Sequence, residues 1–282
     1  MPGKTLTAAP APRTINPSYR QPDLPLEPPR DTQAITVKLN DIRKLHQKKY
    51  RNAFKHYLVE GEHLVHELQK AAAHQPALRN AELYVTKAYE HWQSPFTTHV
   101  VGDRQMAQLA DTQHPQGILA VVPIPDGNQE ISPVDGERAI YLYEVQDPGN
   151  LGTILRTLAW FGGFRCLLSP GSVDPYNPKV VRASMGALFH LPLETDVPLD
   201  ILARRYSNIA SLDLNGKQLT SEGFHRHDCY LFGNEARGVP RQALEKLGTT
   251  AYTIEGRGDI ESLNLATSVN ICAYELVRKP SD

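Results

Sequence analysis

Cysteine is scarce in this 282-residue chain, and so is any excess of charge. The three cysteines, Cys166, Cys229 and Cys272, cannot all pair and show no C-x-x-C spacing. That argues against a secreted disulfide scaffold and fits a reducing cytoplasm. The formal net charge is −1, so the molecule as a whole is no polycation, and any binding of nucleic acid has to come from a local patch. No run reaches the roughly 18 apolar residues of a membrane span, and prolines stand where a secretory signal would place its apolar stretch. Neither a G-x-G-x-x-G fingerprint nor a phosphate-binding Gly-Lys-Ser/Thr is present, which counts against a nicotinamide dehydrogenase and a Walker-type nucleotidase. These absences leave a soluble cytoplasmic protein as the expectation, long enough to bury a core in one large domain or two ordinary ones.

Proline is not scarce. Pro2, Pro10, Pro12, Pro17, Pro22, Pro25, Pro28 and Pro29 crowd the first 33 residues beside few large apolar groups. Such a segment cannot offset its ordering entropy by burial, so residues 1–33 are expected to be a disordered tail. Residues 34–125 read as a small α/β unit. Leu39, Ile42 and Leu45 recur at helical spacing, as do Leu64, Val65 and Leu68, and β-favouring runs follow at 83–85 and 118–122. Pro, Asp, Gly, Asn and Ser mark 126–137 as a linker. From Arg138 strands and helices alternate. Strands are expected near 139–143, 164–168, 209–214, 229–232 and 251–254, with helices near 150–161, 178–188, 240–247 and 262–278. Alternation of this kind predicts an α/β fold with a mostly parallel sheet covered by helices on both faces, over 138–282. Ligands in such folds sit at the carboxyl ends of the strands.

Between Lys38 and Lys55 lie seven cations (Lys38, Arg43, Lys44, Lys48, Lys49, Arg51 and Lys55) opposed only by Asp41, with Tyr50, Phe54 and Tyr57 interleaved. On one basic helix this run suits a phosphate backbone. A solvated helix face explains the same residues.

Three segments carry the chemistry. Gln146-Asp147-Pro148-Gly149-Asn150-Leu151-Gly152 through Arg156 follows a strand and opens a helix. Asn150 is a good N-cap, and Gly152 admits a close approach of backbone or ligand. Alone, the run reads equally as a capped helix with a surface arginine. Gly233-Asn234-Glu235-Ala236-Arg237-Gly238 again ends a strand. Its acid suits a ligand hydroxyl or amine, or the dipole of the helix that Pro240 begins. Ile254 through Gly258 to Ser262-Leu263-Asn264 joins a glycine-bearing loop to a long apolar helix, and capping alone would explain Ser262.

Together these segments closely resemble the signature motifs of the SpoU (TrmH-like) family of RNA 2′-O-ribose methyltransferases. The first matches as N-x-G-x-x-x-R followed by Phe161-Gly162, the second as G-N-E-x-x-G and the third as S-L-N. Asn177-Pro178-Lys179-Val180-Val181-Arg182-Ala183-Ser184-Met185-Gly186-Ala187 is similar to the family as well. So are Lys48-Lys49-Tyr50-Arg51, Leu58-Val59-Glu60-Gly61 and 117–122, which match the small RNA-binding domain that precedes many members' catalytic domains. One departure is visible, since Glu255 and Gly256 stand where the family has proline and methionine.

The resemblance implies a trefoil-knotted methyltransferase domain that binds S-adenosylmethionine and forms a homodimer through that domain, an exception to the rule against knots. Carried over by motif, the cofactor pocket comprises Leu212, Phe232, Gly233, Glu235, Ile254, Ser262, Leu263 and Asn264. Asn150, Arg156, Glu235, Ser262 and Asn264 are the catalytic candidates. The candidate RNA contacts are Lys44, Lys48, Lys49, Arg51, Lys179 and Arg182. Ribosomal RNA is favoured over transfer RNA because a separate N-terminal unit is present. Transfer RNA ribose or RNA base methylation, and a non-catalytic RNA-binding assembly factor, are the rival readings. The latter sits poorly with the presence of Arg156, Glu235, Ser262 and Asn264.

No metal is expected, because His225, His227 and Cys229 lack a fourth ligand nearby. The cysteines are expected to fill the core, and Trp92 and Trp160 to pack rather than stack on bases.

Overall fold

Ile118 to Val122 is apolar at every position, and the computed structural model shows why: the strand is covered on both faces. The structure describes residues 37–125, 136–259 and 262–278. The expected tail at 1–33 and positions 126–135 of the expected linker lie outside the described residues.

The basic segment is not one helix. It forms α1 (Leu39–Ile42), a 3-10 turn over Arg43–His46 and α2 (Lys48–Phe54), broken where Gln47 is extended. The chain continues through β1 (His56–Glu60), α3 (Glu62–His74), β2 (Glu82–Val85), β3 (Thr97–Val100), α4 (Asp103–Leu109) and β4 (Ile118–Pro123). The sheet order is β1-β4-β2-β3, with β4 antiparallel to both neighbours and β3 parallel to β2. Alternate residues serve alternate faces, as the pleat requires. Tyr57, Val59, Leu83, Val85, Ile118, Ala120 and Val122 pack on Leu64, Val65 and Leu68 of α3. Leu58, Tyr84, Leu119 and Val121 meet Ile42, Leu45, Met106 and Leu109 on the other side.

The second sheet is parallel throughout, in the order β10-β8-β9-β5-β6-β7. Its elements are β5 (Arg138–Leu142), α5 (Pro148–Phe161), β6 (Phe164–Leu168), α6 (Pro178–Ser184), β7 (Leu193–Glu194), α7 (Leu199–Arg205), β8 (Ile209–Gln218), β9 (Cys229–Phe232), α8 (Arg241–Leu247), β10 (Thr250–Thr253) and α9 (Leu265–Val277). Ile140, Leu142, Cys166, Leu168, Tyr230 and Phe232 face α5 and α9, while Ala139, Tyr141, Leu167 and Leu231 face α7 and α8. The ladder between β10 and β8 jumps: Ala251 pairs with Ser211, but Tyr252 pairs with Lys217. Residues 212–216 of β8 therefore form an irregularity in the ladder beside β10.

Helices α5 and α6 approach closely. A Cβ at Gly152 would collide with Ala183 and lie 3.0 Å from the backbone of Ala183 and Ser184. The close approach that Gly152 permits is thus that of another helix. Val181 of α6 and Phe189 just beyond it enter the core under the first sheet, so the two sheets belong to one compact unit. Among the described residues no helix is long and apolar enough to cross a membrane.

Candidate active site

Three loops meet at the carboxyl ends of β5, β9 and β10. Their meeting depends on how two helices begin. The N-cap of α5 is Asp147, whose Oδ1 accepts from the Asn150 amide N at 2.7 Å, with Pro148 in the first turn. The cap expected at Asn150 therefore sits three residues earlier, and the Asn150 side chain is released for other partners. Likewise α9 is capped by Asn264, not Ser262, through Thr267 N at 3.2 Å.

The loop after β9 is folded on itself. Asn234 and Gly238 exchange backbone hydrogen bonds, and a Cβ at Gly233 would lie 2.6 Å from the Gly238 carbonyl carbon. Asn234 is buried. Its Oδ1 accepts from Ala236 N and Arg237 N, and its Nδ2 donates to the Glu144 carbonyl at 2.7 Å. Arg237 reaches across to the Glu144 carboxylate at 2.7 Å. These contacts turn Glu235 toward the first loop, where Oε2 accepts from Gln146 N at 3.3 Å and Oε1 from Asp147 N at 3.4 Å. Glu235 therefore faces motif one and does not cap α8.

A single relay then joins all three motifs. Glu235 Oε1 accepts from Asn150 Nδ2 at 3.2 Å, and Asn150 Oδ1 accepts from Asn264 Nδ2 at 2.9 Å. The polarity of this chain is set at both ends: an ionised carboxylate only accepts, and Asn264 Oδ1 is already occupied by Thr267 N. The partners lie 85 and 114 positions apart in sequence, so only the fold brings them together. Glu235 and Asn264 are exposed and Asn150 is half-buried, which leaves the relay open to a ligand.

The other expected site residues divide. Arg156 projects from α5 into solvent and Ser262 is exposed, and neither makes a hydrogen bond to the described residues. Leu212 lies in β8 directly after Ser211, the last residue paired before the ladder jumps, and it and Ile254 are half-buried, while Leu263 is 49% exposed. Phe232 ends β9 with its ring buried in the core, and its carbonyl accepts from Tyr143 N at 2.8 Å. It supports the loop from behind.

Of the expected RNA contacts, Lys48, Lys49 and Lys179 are exposed. Lys44 pairs with Asp41 at 2.7 Å and Arg182 with Asp111 at 2.8 Å. Lys49 lies over the Tyr50 ring at 4.7 Å. Arg51 is a correction. It is 2% exposed, bound to Asp174, and has no face left for a phosphate.

All three cysteines are buried and unpaired, and burial pushes their thiols up. Cys229 is thus held in the core. His227 Nε2 meets the Tyr252 hydroxyl at 2.9 Å, and His225 faces Glu275 at 3.5 Å. Trp92 packs with His66 and Tyr89, but Trp160 is 83% exposed, against expectation. Sequence reasoning named Asn234 in the second motif but gave it no role, because its burial and its loop contacts arise only in the fold.

Comparison with known proteins agrees with this geometry. The model of the SpoU rRNA Methylase family matches residues 137–274, and that of the MRM3-like substrate binding domain matches 37–120. The chain is 30% identical over 249 residues to the 23S rRNA (guanosine(2553)-2′-O)-methyltransferase RlmP of Bacillus subtilis, covering 86% of this chain and 97% of that one. Its structure resembles that of a TrmH-family protein from Porphyromonas gingivalis (TM-score 0.72, 31% identity, 84% and 96% of the two chains). It also resembles an AdoMet-bound rRNA methyltransferase from Sinorhizobium meliloti (TM-score 0.72, 25% identity, 84% and 93%).

Proposed function

The chain belongs to the SpoU rRNA methylase family, and we propose that it transfers a methyl group from S-adenosylmethionine to a ribose 2′-hydroxyl of ribosomal RNA. The observation that carries this reading is the Asn264–Asn150–Glu235 relay, which gathers three distant motifs at the carboxyl ends of parallel strands. Ribosomal RNA is favoured by the name of the B. subtilis relative. In the same reading residues 34–125 bind RNA, residues 138–282 carry the reaction and the protein works in the cytoplasm.

The residues present fit the cofactor. Leu212, Ile254 and Leu263 offer apolar surface that is not sealed in the core, as an adenine ring needs, beside the polar groups of Gly233, Glu235, Ser262 and Asn264. When bound, S-adenosylmethionine supplies a methyl already activated by the positive sulfur. The protein's task is then alignment and the handling of one proton. Alignment is worth up to about 7–11 kcal/mol. A general base adds about 10²–10⁴-fold, on the order of 3–5 kcal/mol. Positioning is the larger effect.

Glu235 and Asn264 hold Asn150 at the reaction centre. Arg156 stands free on the helix that Asn150 begins. A guanidinium keeps its proton in proteins, so Arg156 is assigned to the phosphate beside the target ribose and to the oxygen as it becomes anionic. The proton itself passes to water. Lys44, Lys48, Lys49, Lys179 and Arg182 form the proposed RNA surface.

The trefoil knot belongs to this reading, as what the family resemblance implies. A homodimer does too, supported by the exposed Trp160, Ile271 and Tyr274 on α5 and α9.

The test is incubation with labelled S-adenosylmethionine and deproteinised RNA from cells lacking this gene. Label is expected in ribosomal RNA as a 2′-O-methylnucleoside, and is expected to vanish with Arg156→Ala. Label on a base, or intact cofactor binding with no label in any RNA, would overturn the assignment. An Arg156→Lys enzyme with near-normal rate and a new dependence on the lysine pKa would overturn this role and make the side chain at this position a general base.

A further inference from the structure

The ion pair of buried Arg51 with part-buried Asp174 joins the first sheet's segment to the second, and its energetics alone do not explain it. Arg51 Nε and Nη2 donate to Asp174 Oδ2 at 2.9 and 2.5 Å, and Nη1 donates to the carbonyls of Leu45 and His46 at 2.8 and 2.9 Å. Asp174 Oδ1 accepts from Tyr176 N at 2.9 Å. Both charges are thus well satisfied. Yet an apolar pair of similar volume is often as stable as a buried ion pair or more so. What the ionic pair adds is a fixed direction and length.

Asp174 lies in the loop between β6 and α6, and that loop is tied to the first loop of the candidate site at three points. Glu144 N donates to Ser169 Oγ at 2.7 Å, Gln146 Nε2 donates to the Gly171 carbonyl at 2.9 Å, and Val173 N donates to the Val145 carbonyl at 2.8 Å. Gln146 N is in turn bound to Glu235. An unbroken series of hydrogen bonds and short backbone segments therefore runs from α2, which bears Lys48 and Lys49, to the Glu235–Asn150–Asn264 relay.

We propose that Arg51 is a positioning residue: through Asp174 it holds the loop 169–177, and through that loop residues 144–147, in register with the basic surface of α2. The RNA-contacting surface and the methyl-transfer site then form one rigid gauge. This rests on the reading of the chain as an RNA methyltransferase. A misplacement of about 1 Å is enough to cost roughly 10²-fold in rate, which sets the size of effect to look for.

The test uses the full chain and two variants, Arg51→Lys and the apolar pair Arg51→Met with Asp174→Leu. Hydrogen exchange, kcat on ribosomal RNA, cofactor Kd and Tm are measured for each. The apolar pair is expected to keep a Tm near wild type and a cofactor Kd within about threefold, while amides of 144–147 exchange at least about tenfold faster and kcat falls about 10–100-fold. Arg51→Lys, which keeps the charge but loses the forked geometry, is expected to fall between. Faster exchange confined to 45–52 and 172–177, or a wild-type kcat in the apolar pair, would overturn the proposal. Because exchange needs no substrate, a wild-type protein that methylates no RNA would sink the functional reading while the exchange data still decide whether Arg51 orders the site loop.

Discussion

Asn264 uses its two amide atoms in opposite directions. Oδ1 caps α9 through Thr267 N, and Nδ2 donates into the relay through Asn150. The two roles separate by substitution. Asn264→Asp keeps an acceptor for the cap but has no donor for Asn150 Oδ1, so Tm should stay near wild type while kcat falls by about 10² or more through lost alignment. Asn264→Ala loses both, and its cap alone is worth about 0.5–2 kcal/mol. Equal activity in Asn264→Asp and wild type, by labelled-methyl transfer, would remove the relay from the mechanism. His227 gives a second prediction at this scale. Burial pulls its imidazole below the ordinary value, with the Lys217 charge assisting and Asp228 opposing, and its Nδ1 is buried without a partner. The native state thus binds this proton less readily than the unfolded chain. Its contribution to stability is present above about pH 6.5 and is lost as pH falls below that. Tm measured from pH 8 to 5 should fall less steeply in His227→Gln than in wild type.

Elements were legible where the two periodicities were clean. The strand β9 and the helix α3 followed from apolar pattern alone, because each has one consistent burial requirement. β3 is mostly exposed and β7 is two residues long, so neither left a hydrophobic signature. Helix starts were misread for a different reason. Asp147 and Asn150 are both good caps, and what decides between them is Pro148, which fits only just inside the helix. The site inherits that decision, since Asn150 is free for Glu235 only because Asp147 caps. Arg51 shows the limit more sharply. Its neighbours Lys48 and Lys49 are exposed, and nothing local distinguishes it from them, because its partner Asp174 lies 123 positions away. At the level of helix pairing, Gly152→Ala should wedge α5 from α6 at Ala183. An overpacked contact costs typically about 1–3 kcal/mol, and the same displacement shifts Asn150 and Arg156. Denaturant unfolding should show the loss, and a kcat drop larger than the stability loss explains would show the shift.

At the scale of the whole molecule, the apolar surface is unevenly placed. Trp160 is 83% exposed, Tyr274 58% and Ile271 37%, and Phe161, next to Trp160 in the chain, meets Tyr274 at 6.3 Å across the packed α5–α9 pair. α5 also carries Asn150 and Arg156, and α9 begins at Asn264, so the same two helices bear the candidate site. Exposed apolar side chains gathered on two packed helices mark a candidate interaction surface, and an aromatic side chain buries about 150–250 Å² when covered. One patch is enough for a dimer, because a two-fold axis lets it meet its own copy. In a dimer built this way, the partner's α5 and α9 would lie against the helices that begin at the site, and association and methyl transfer would be linked. Trp160→Glu with Tyr274→Glu places two charges in that interface without touching Asn150, Arg156, Glu235 or Asn264. Sedimentation at micromolar concentration should give a dimer for wild type and a monomer for the double variant, with methyl transfer falling in parallel. A wild-type monomer with full activity would leave the aromatic patch without this explanation. A monomeric variant with full activity would separate dimerisation from the chemistry.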